Sequence, residues 1–360
     1  MKISSIESHR RSLREVDARI VRLLNERALI SAMIGRAKAE RGLDVLDAAQ
    51  EAKLFEYLRG LNGGSLPEKH LKAIFREIIS ASRALQKPVS AAFLGPDGTF
   101  SHIAARSFFG ASTAFVPEAT IFNVFEAVEK GKVEWGIVPV ENSLEGSVNL
   151  TLDRLIETPL KVQAEIFLRI RHCLLARGTR IDKIKRVYSV PQALAQCQGW
   201  LRSKLPNIML CETESTAAAA MSAQKERNGA AIASRLAAAT YGLHMLADGI
   251  EDNPGNTTRF FVVGQGEAGA TGKDKTSVLF GTPHAPGALY HALEPFVRRR
   301  INLLKIESYP IKERLWEYLF FVDFEGHRED GKIKNSMKAL KGKINFLKIL
   351  GSYPKGEEAQ

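Results

Sequence analysis

Two groups of side chains in this chain have types and spacing that could do chemistry. Asn256-Thr257-Thr258-Arg259-Phe260 stands at the start of an apolar run, Phe260-Phe261-Val262-Val263, that reads as a buried β-strand. Polar side chains at the mouth of a core strand face a ligand or cap a neighbour. The rest of the sequence offers no metal cluster, no nucleotide-binding glycine fingerprint and no nucleophile with its base, so Thr258 is the first candidate for acid chemistry. The second group lies on the apolar stripe of a long helical pattern, where Arg27 and Lys38 are eleven residues apart. Eleven steps of 100° return to within roughly 20°, so the two cations share a face about three turns apart. Two cations on a core stripe ask for an anion, unless they reach out to water or pair with Asp or Glu. Arg10, seventeen residues before Arg27, points roughly 100° away and would more readily serve a second site across a partner chain.

The elements that carry these groups fall into three modules. Residues 4 to 41 form one helical pattern, with Leu13, Val16, Ile20, Leu23, Leu24, Ile30 and Ile34 at spacings of three and four. Such a helix is roughly 55 Å long, more than a small helical domain covers by itself, so a second chain is expected against it. Two more helices follow at 47 to 61 and 67 to 86, closed by Lys87-Pro88. From Val89 short β-rich runs alternate with helical ones at 119 to 130, 191 to 202 and 215 to 224, the order of an α/β domain. Gly264 to Gly272 reads as a flexible linker. Beyond it, runs at 276 to 281, 301 to 308, 315 to 324 and 345 to 351 flank helical patterns at 287 to 299 and 332 to 342, giving βαββαβ. The expected domains are 1–87, 89–265 and 275–354.

Composition narrows the partners. The 360 residues carry a formal charge of +11, but residues 1–88 hold 17 Lys/Arg against 11 Asp/Glu, residues 89–272 hold 18 against 18 and residues 273–360 hold 16 against 11. The excess is spread over two flanks, and no basic run is interleaved with aromatics, so small anions are expected as ligands and nucleic acid is not. No apolar run approaches the ~20 residues of a membrane span and the first residues lack a signal-type apolar core, so neither membrane nor export is expected and the cytoplasm is the default location. Cys173, Cys197 and Cys211 lack metal or redox spacing and read as reduced core residues. No cofactor or metal is called for.

In order and spacing, Arg10, Asp17, Arg27, Gly35-Arg36-Ala37-Lys38, Asp47, Glu51 and Gln86 resemble the all-helical chorismate mutases. The resemblance implies that Arg27 and a partner chain's Arg10 bind the substrate carboxylates. Lys38 and Gln86 would hydrogen-bond the ether oxygen, and Glu51 with the Asp47 region would meet the hydroxyl. Such a rearrangement needs restraint and preorganised donors rather than a nucleophile. Gln50 departs from the family, which usually has arginine there.

The middle module resembles prephenate dehydratases through Gly95-Pro96-Asp97-Gly98-Thr99-Phe100-Ser101-His102, Pro139-Val140-Glu141-Asn142-Ser143, Ser215-Thr216-Ala217 and Asn256 to Phe260. That family has two α/β lobes, similar to periplasmic binding proteins, with the site between them. By this resemblance Thr258 is the acid, and Arg259 polarises it or binds a carboxylate; an ion pair beside a buried strand is the alternative. Thr99, Asn142, Ser143, Ser215, Thr216 and Phe260 become substrate contacts, although Ser143 and Ser215 taken alone suit N-caps. Ser189, Gln192 and Gln196 are contacts or organisers. Val190 replaces the histidine of the family's Ser-His-Pro-Gln segment, and neither His102 nor His172 is assigned a catalytic role.

The last module resembles ACT regulatory domains through Pro286-Gly287-Ala288-Leu289-Tyr290 and Ile306-Glu307-Ser308-Tyr309-Pro310. This implies phenylalanine as a feedback effector bound at a dimer interface by Gly287, Ala288, Leu289, Glu307 and Ser308. Tyr309 stands where the family has arginine, and Arg300 replaces a glycine at a turn that often needs positive φ. Taken together the resemblances imply a bifunctional chorismate mutase/prephenate dehydratase acting on chorismate and prephenate as a homodimer or higher homo-oligomer. A ligand-binding regulator that has lost turnover is the competing reading, motivated by Gln50, Val190 and Tyr309.

Overall fold

The computed structural model describes residues 2–42, 45–310 and 318–356. Its first unit follows from the helical apolar period: α1 (Lys2–Glu40), α2 (Ala48–Leu61) and α3 (Glu68–Gln86). Asp47 starts α2 as its N-cap, accepting from the Gln50 N–H at 2.9 Å. Along α1, Leu13, Val16, Ile20, Leu23, Ile30 and Ile34 remain exposed, because within its own unit this helix packs mainly on α3.

The middle unit has two lobes. Lobe one contains β1 (Ser90–Leu94), α4 (Phe100–Phe109), β2 (Ala114–Glu118), α5 (Ile121–Glu129), β3 (Trp135–Asn142), β4 (Gly146–Ser147), α6 (Asn149–Glu157) and β5 (Lys161–Arg169). Lobe two follows with β6 (Cys173–Ala176), β7 (Arg186–Ser189), α7 (Pro191–Gln196), α8 (Gln198–Lys204), β8 (Met209–Glu212), α9 (Thr216–Lys225), β9 (Gly229–Ala233), α10 (Arg235–Tyr241) and β10 (His244–Asp248). The chain then returns to lobe one as β11 (Thr257–Gly264). The sheet orders are β2-β1-β3-β11-β5, with β4 paired to β3, and β10-β6-β9-β7-β8. The two crossings lie side by side: the Ile170 N–H donates to Asn256 O at 2.8 Å and the Ile250 N–H to His172 O at 3.0 Å. The single helix expected at 191 to 202 is broken at Cys197. The physical reason is Asp252, whose carboxylate accepts from the Gly199 and Trp200 N–H groups at 2.8 and 3.0 Å and so starts α8 afresh.

The third unit has β12 (Asp274–Gly281), α11 (Ala288–Arg298), β13 (Leu303–Pro310), β14 (Tyr318–Glu325), α12 (Gly331–Lys341) and β15 (Phe346–Pro354). They form an antiparallel sheet, β13-β14-β12-β15. The first three residues of the strand expected at 315 to 324 lie outside the described residues. Arg300 does take a positive φ, 50°, as its turn position suggests. One face of the sheet is covered by α11 and α12. On the other, Leu279, Tyr309, Phe321, Leu350 and Tyr353 join one core with Val162, Leu152, Phe261 and Val263 of lobe one. The linker expected to be flexible is tied down: Gln163 Nε2 donates to the Gln265 and Gly266 carbonyls at 3.1 and 2.7 Å, and Asp274 accepts from the Thr271 and Gly272 N–H groups, both at 2.9 Å.

Candidate functional site

Thr258 lies at the lobe-one end of the crossing, 8% exposed, directly opposite Asn142 in the β11–β3 ladder. Asn142 Nδ2 donates to Thr258 Oγ1 at 2.8 Å and to Asn256 Oδ1 at 2.8 Å. The amide cannot be turned round without loss, since Asn142 Oδ1 already accepts from the Leu144 and Glu145 N–H groups at 3.0 and 3.3 Å. The Thr258 oxygen is therefore an acceptor here, which leaves its proton to be given away. A donor fixed on an oxygen that is losing its proton stabilises the charge it gains.

This pair belongs to a chain of amides across the hinge. Asn256 Nδ2 donates to Gln196 Oε1 at 3.0 Å, and His172 Nε2 lies 3.0 Å from the same oxygen. Gln196 Nε2 donates to Glu145 Oε1 at 3.2 Å, and Gln192 Nε2 donates to Glu145 Oε2. Burial pushes the His172 pKa down, and its Nδ1 is buried with no protein partner. Asn256, Glu145 and His172 were not among the expected site residues. The signal available for Asn256 is its place in the Thr258 segment; for Glu145 there is none.

Other expected contacts hold helix starts and loops. Thr99 caps α4, accepting weakly from the His102 N–H at 3.4 Å while donating to Leu94 O at 3.1 Å. Its loop bridges the lobes, since Ser234 Oγ donates to Gly98 O at 2.5 Å and Tyr241 OH to Asp97 O at 2.8 Å. Ser215 caps α9 through the Ala218 N–H at 2.9 Å, with Thr216 next to it. Ser143 Oγ accepts from the Thr257 N–H at 3.0 Å. Two expectations need correction. Ser189 is fully buried and donates to Ile232 O at 2.7 Å, and Phe260 is a core residue packed with Phe93 and Ile137, so neither presents a surface to a substrate. Val190 occupies the N-cap position of α7 and packs on the lobe-two core.

Arg259 also needs correction. Adjacent strand residues point to opposite faces, so it turns away from Thr258 into the junction with the third unit. There it is held by Glu165, Asp323 and Tyr353. Burial alone would lower its pKa, but the groups facing it outweigh that and raise it, so the guanidinium is firmly charged. The ion pair beside a buried strand is the reading that the geometry favours.

In the helical unit, Arg27 Nη1 donates to Ser82 Oγ at 2.5 Å, Lys38 Nζ to Val45 O at 2.9 Å and Gln86 Nε2 to Ser31 Oγ at 2.6 Å. Ser82 and Ser31 are not among the expected site residues, although Ser82 sits four residues before Gln86 on one helix face, a readable spacing. Glu51 does not stand alone, since Arg83 Nη1 meets its Oε1 at 3.1 Å while Arg83 Nη2 donates to Phe109 O at 2.5 Å. Burial raises the Glu51 pKa, partly offset by Arg83. Arg10 and Gln50 are exposed.

A cavity of about 270 Å³ in the third unit is lined by Gly287, Ala288, Leu289, Tyr290, Tyr318 and Phe320, among others. Gly287 has φ 76° at the start of α11, a conformation that suits glycine. Glu307 is not in this lining, because its carboxylate accepts from Ser147 Oγ and lies 3.0 Å from Lys305 Nζ at the junction; Ser308 is exposed on the edge strand β13. Tyr309 is buried and donates to Asp153 on α6. Cys173 and Cys197 are buried free thiols, the former with its pKa pushed up to about 12 by burial and Asp248.

Comparison with known proteins assigns all three units. Residues 9–87 match chorismate mutase type II, residues 91–268 prephenate dehydratase and residues 276–342 the ACT domain. The chain is 44% identical to the bifunctional chorismate mutase/prephenate dehydratase of Aquifex aeolicus over 98% of its own length and 99% of that protein's. It is 42% identical to the protein of the same description from Neisseria gonorrhoeae, covering 96% of each. Among solved structures, the Arthrobacter aurescens prephenate dehydratase in complex with L-Phe is 36% identical with a TM-score of 0.69, over 74% of this chain and 90% of that one.

Proposed function

The chain belongs to the family of bifunctional chorismate mutase/prephenate dehydratases, and from that premise we propose how its residues divide the work. It converts chorismate to prephenate and prephenate to phenylpyruvate in phenylalanine biosynthesis. For the first reaction we assign Arg27, with Arg10 of a second copy, to the carboxylates, Lys38 and Gln86 to the ether oxygen, and Glu51 and Asp47 to the hydroxyl end. Ser82 and Ser31 orient Arg27 and Gln86 through the contacts described above.

For the second reaction Thr258 protonates the departing ring hydroxyl. The electron pair of the breaking carbon–carboxylate bond enters the ring, carbon dioxide and water leave, and the ring becomes aromatic. One proton is consumed, so Thr258 recovers its own from water. The observation that carries this reading is the amide of Asn142, locked so that Nδ2 donates to Thr258 Oγ1 and opposes the charge left there. Gln192, Gln196, Thr99, Ser143, Ser215 and Thr216 surround the substrate as polar contacts or hold the loops that do.

Phenylalanine is the proposed effector at the Gly287–Ala288–Leu289 cavity, supported by the L-Phe complex of the Arthrobacter relative. The exposed face of α1 supports a homodimer. No helix of the described residues is long and apolar enough to cross a membrane, and we place the enzyme in the cytoplasm with its pathway. We propose 1–87, 89–265 and 275–354 as the domain bounds; the family matches span 9–87, 91–268 and 276–342.

Purified protein given chorismate should yield phenylpyruvate. Thr258→Ala should stop the sequence at prephenate, lowering dehydratase kcat by about 10²- to 10⁴-fold with mutase turnover intact. Unchanged dehydratase kcat in that variant would remove Thr258 from the role of acid.

A further inference from the structure

Arg259 is adjacent to Thr258 on β11 and takes no part in the proton transfer. Its guanidinium joins two domains: Nε donates to Glu165 Oε2 on β5 at 2.8 Å, Nη1 to Asp323 Oδ2 on β14 at 2.6 Å, and Nη2 to Tyr353 OH on β15 at 3.1 Å. Lys275 Nζ on β12 donates to the same Glu165 oxygen at 2.8 Å, and Ser277 Oγ donates to Asp323 Oδ1 at 2.5 Å. All of these residues are buried. Two cations thus face two carboxylates in a hydrogen-bonded cluster, with Glu141 Oε2 a further 3.8 Å from Arg259 Nη1, the arrangement in which loss of one member leaves a buried charge uncompensated.

The location of this cluster matters as much as its composition. Thr258 pairs with Asn142 and Arg259 with Glu141, but the β11–β3 register shifts between Arg259 and Phe260. On the β5 side the ladder is regular through Thr258, but on the β3 side, which carries Asn142, Val140 is an extra residue, so a side-chain anchor on the opposite face of β11 bears on how Thr258 meets Asn142. The anchor's partner Asp323 belongs to β14, and Tyr318 and Phe320 of the same strand line the cavity beside Gly287. Phe320 and Asp323 are three residues apart, roughly 10 Å along one strand.

We propose that Arg259 is a positioning residue for dehydration: it clamps β11 to the ACT sheet where the ladder is irregular and so holds Thr258 Oγ1 against Asn142 Nδ2. The placement of the acid thereby depends on the placement of β14, the strand that also lines the ligand cavity. None of the cluster residues lies on the mutase helices. The proposal rests on the reading of Thr258 as the acid.

The test measures prephenate and chorismate kinetics on the same full-length protein, for Arg259→Lys, Asp323→Asn, Thr258→Ala and the combination of Arg259→Lys with Thr258→Ala. A displacement of about 1 Å at a reacting group costs on the order of 10²-fold, so dehydratase kcat should fall by about 10- to 100-fold in Arg259→Lys and Asp323→Asn. The prephenate KM should change little, and chorismate turnover, which reports folding within the same chain, should be unchanged. In the Thr258→Ala background the Arg259→Lys change should cost nothing further, since the group it positions is gone. A wild-type dehydratase kcat in both Arg259→Lys and Asp323→Asn, with Thr258→Ala inactive, overturns the clamp and leaves the acid in place. Parallel loss of both activities assigns the cluster to stability alone and also overturns it, as does a rise confined to KM, which would make Arg259 a substrate contact. An active Thr258→Ala removes the acid, and the clamp's purpose with it.

Discussion

Asn142 decides what kind of group Thr258 is. With its carbonyl oxygen taken by two backbone N–H groups, its amide nitrogen faces the Thr258 oxygen as a donor. Asn142→Asp keeps the size but puts a carboxylate where the donor was, so it should lower dehydratase kcat by about 10²- to 10³-fold, in the range of a lost oxyanion donor. A kcat within threefold of wild type would deny Asn142 that part. His172 at the far end of the network gives a pH dependence. Its pKa is depressed by burial, so the unfolded chain binds its proton more readily than the native one. Stability should therefore be full above the ordinary histidine pKa of about 6.5 and decline as pH falls toward the lower folded value. His172→Gln should flatten that decline in urea titrations between about pH 5 and 7, and an unaltered slope would exclude His172 as its source. The sequence makes the Thr258 segment legible because it is polar at the mouth of an apolar strand. It also contains the reason why Arg259 cannot share Thr258's task, since neighbours on a strand face opposite ways. Adjacency in the motif obscured that alternation. Glu145 was hidden for another reason: its partners Gln192 and Gln196 lie on the other lobe.

At the scale of elements, the helices and strands that periodicity does predict fall within about three residues of those observed, and two departures have tertiary causes. The helix expected from 191 to 202 breaks because Asp252, half a lobe away in sequence, supplies the acceptor for a new helix start. The linker after β11 is held because Gln163 and Asp274 satisfy its backbone. The junction of β5 with β15 was not legible at all, since strand pattern does not say which edges meet. There a Cβ on Gly351 would stand 2.2 Å from Val162 O, a backbone atom that cannot step aside. Lys161 Nζ donates across the same junction to Ile349 O at 2.8 Å, and Lys348 Nζ to Ile156 O and Thr158 O at 2.7 and 2.6 Å. Gly351→Ala should push the ACT sheet off β5 at a cost of roughly 1–3 kcal/mol, the usual penalty of overpacking. In a thermal scan the ACT unit should then unfold ahead of the rest. A single transition at the wild-type temperature would mean that the strands have room to part.

For the whole molecule, the unanswered demand is the face of α1. Leu13, Val16, Ile20, Leu23, Ile30 and Ile34 are each about half exposed or more along a helix of 39 residues. Covering such side chains from both copies contributes on the order of 10 kcal/mol, enough to offset much of the entropy lost on association. Arg10 lies on this helix about 26 Å before Arg27 at 1.5 Å per residue, too far for the two to serve one ligand within a chain. An antiparallel second copy would bring its Arg10 to this chain's Arg27, so the mutase site would be completed by dimerisation while the dehydratase cleft, built within one chain, would not. Ile20→Asp places a charge in the middle of the stripe, and sedimentation should show a monomer. Chorismate turnover should fall by at least about 10²-fold, as for loss of a charged binding group, while prephenate turnover persists. A dimeric Ile20→Asp protein would move the interface elsewhere. A monomer with full chorismate turnover would mean that one chain supplies every cation the rearrangement needs.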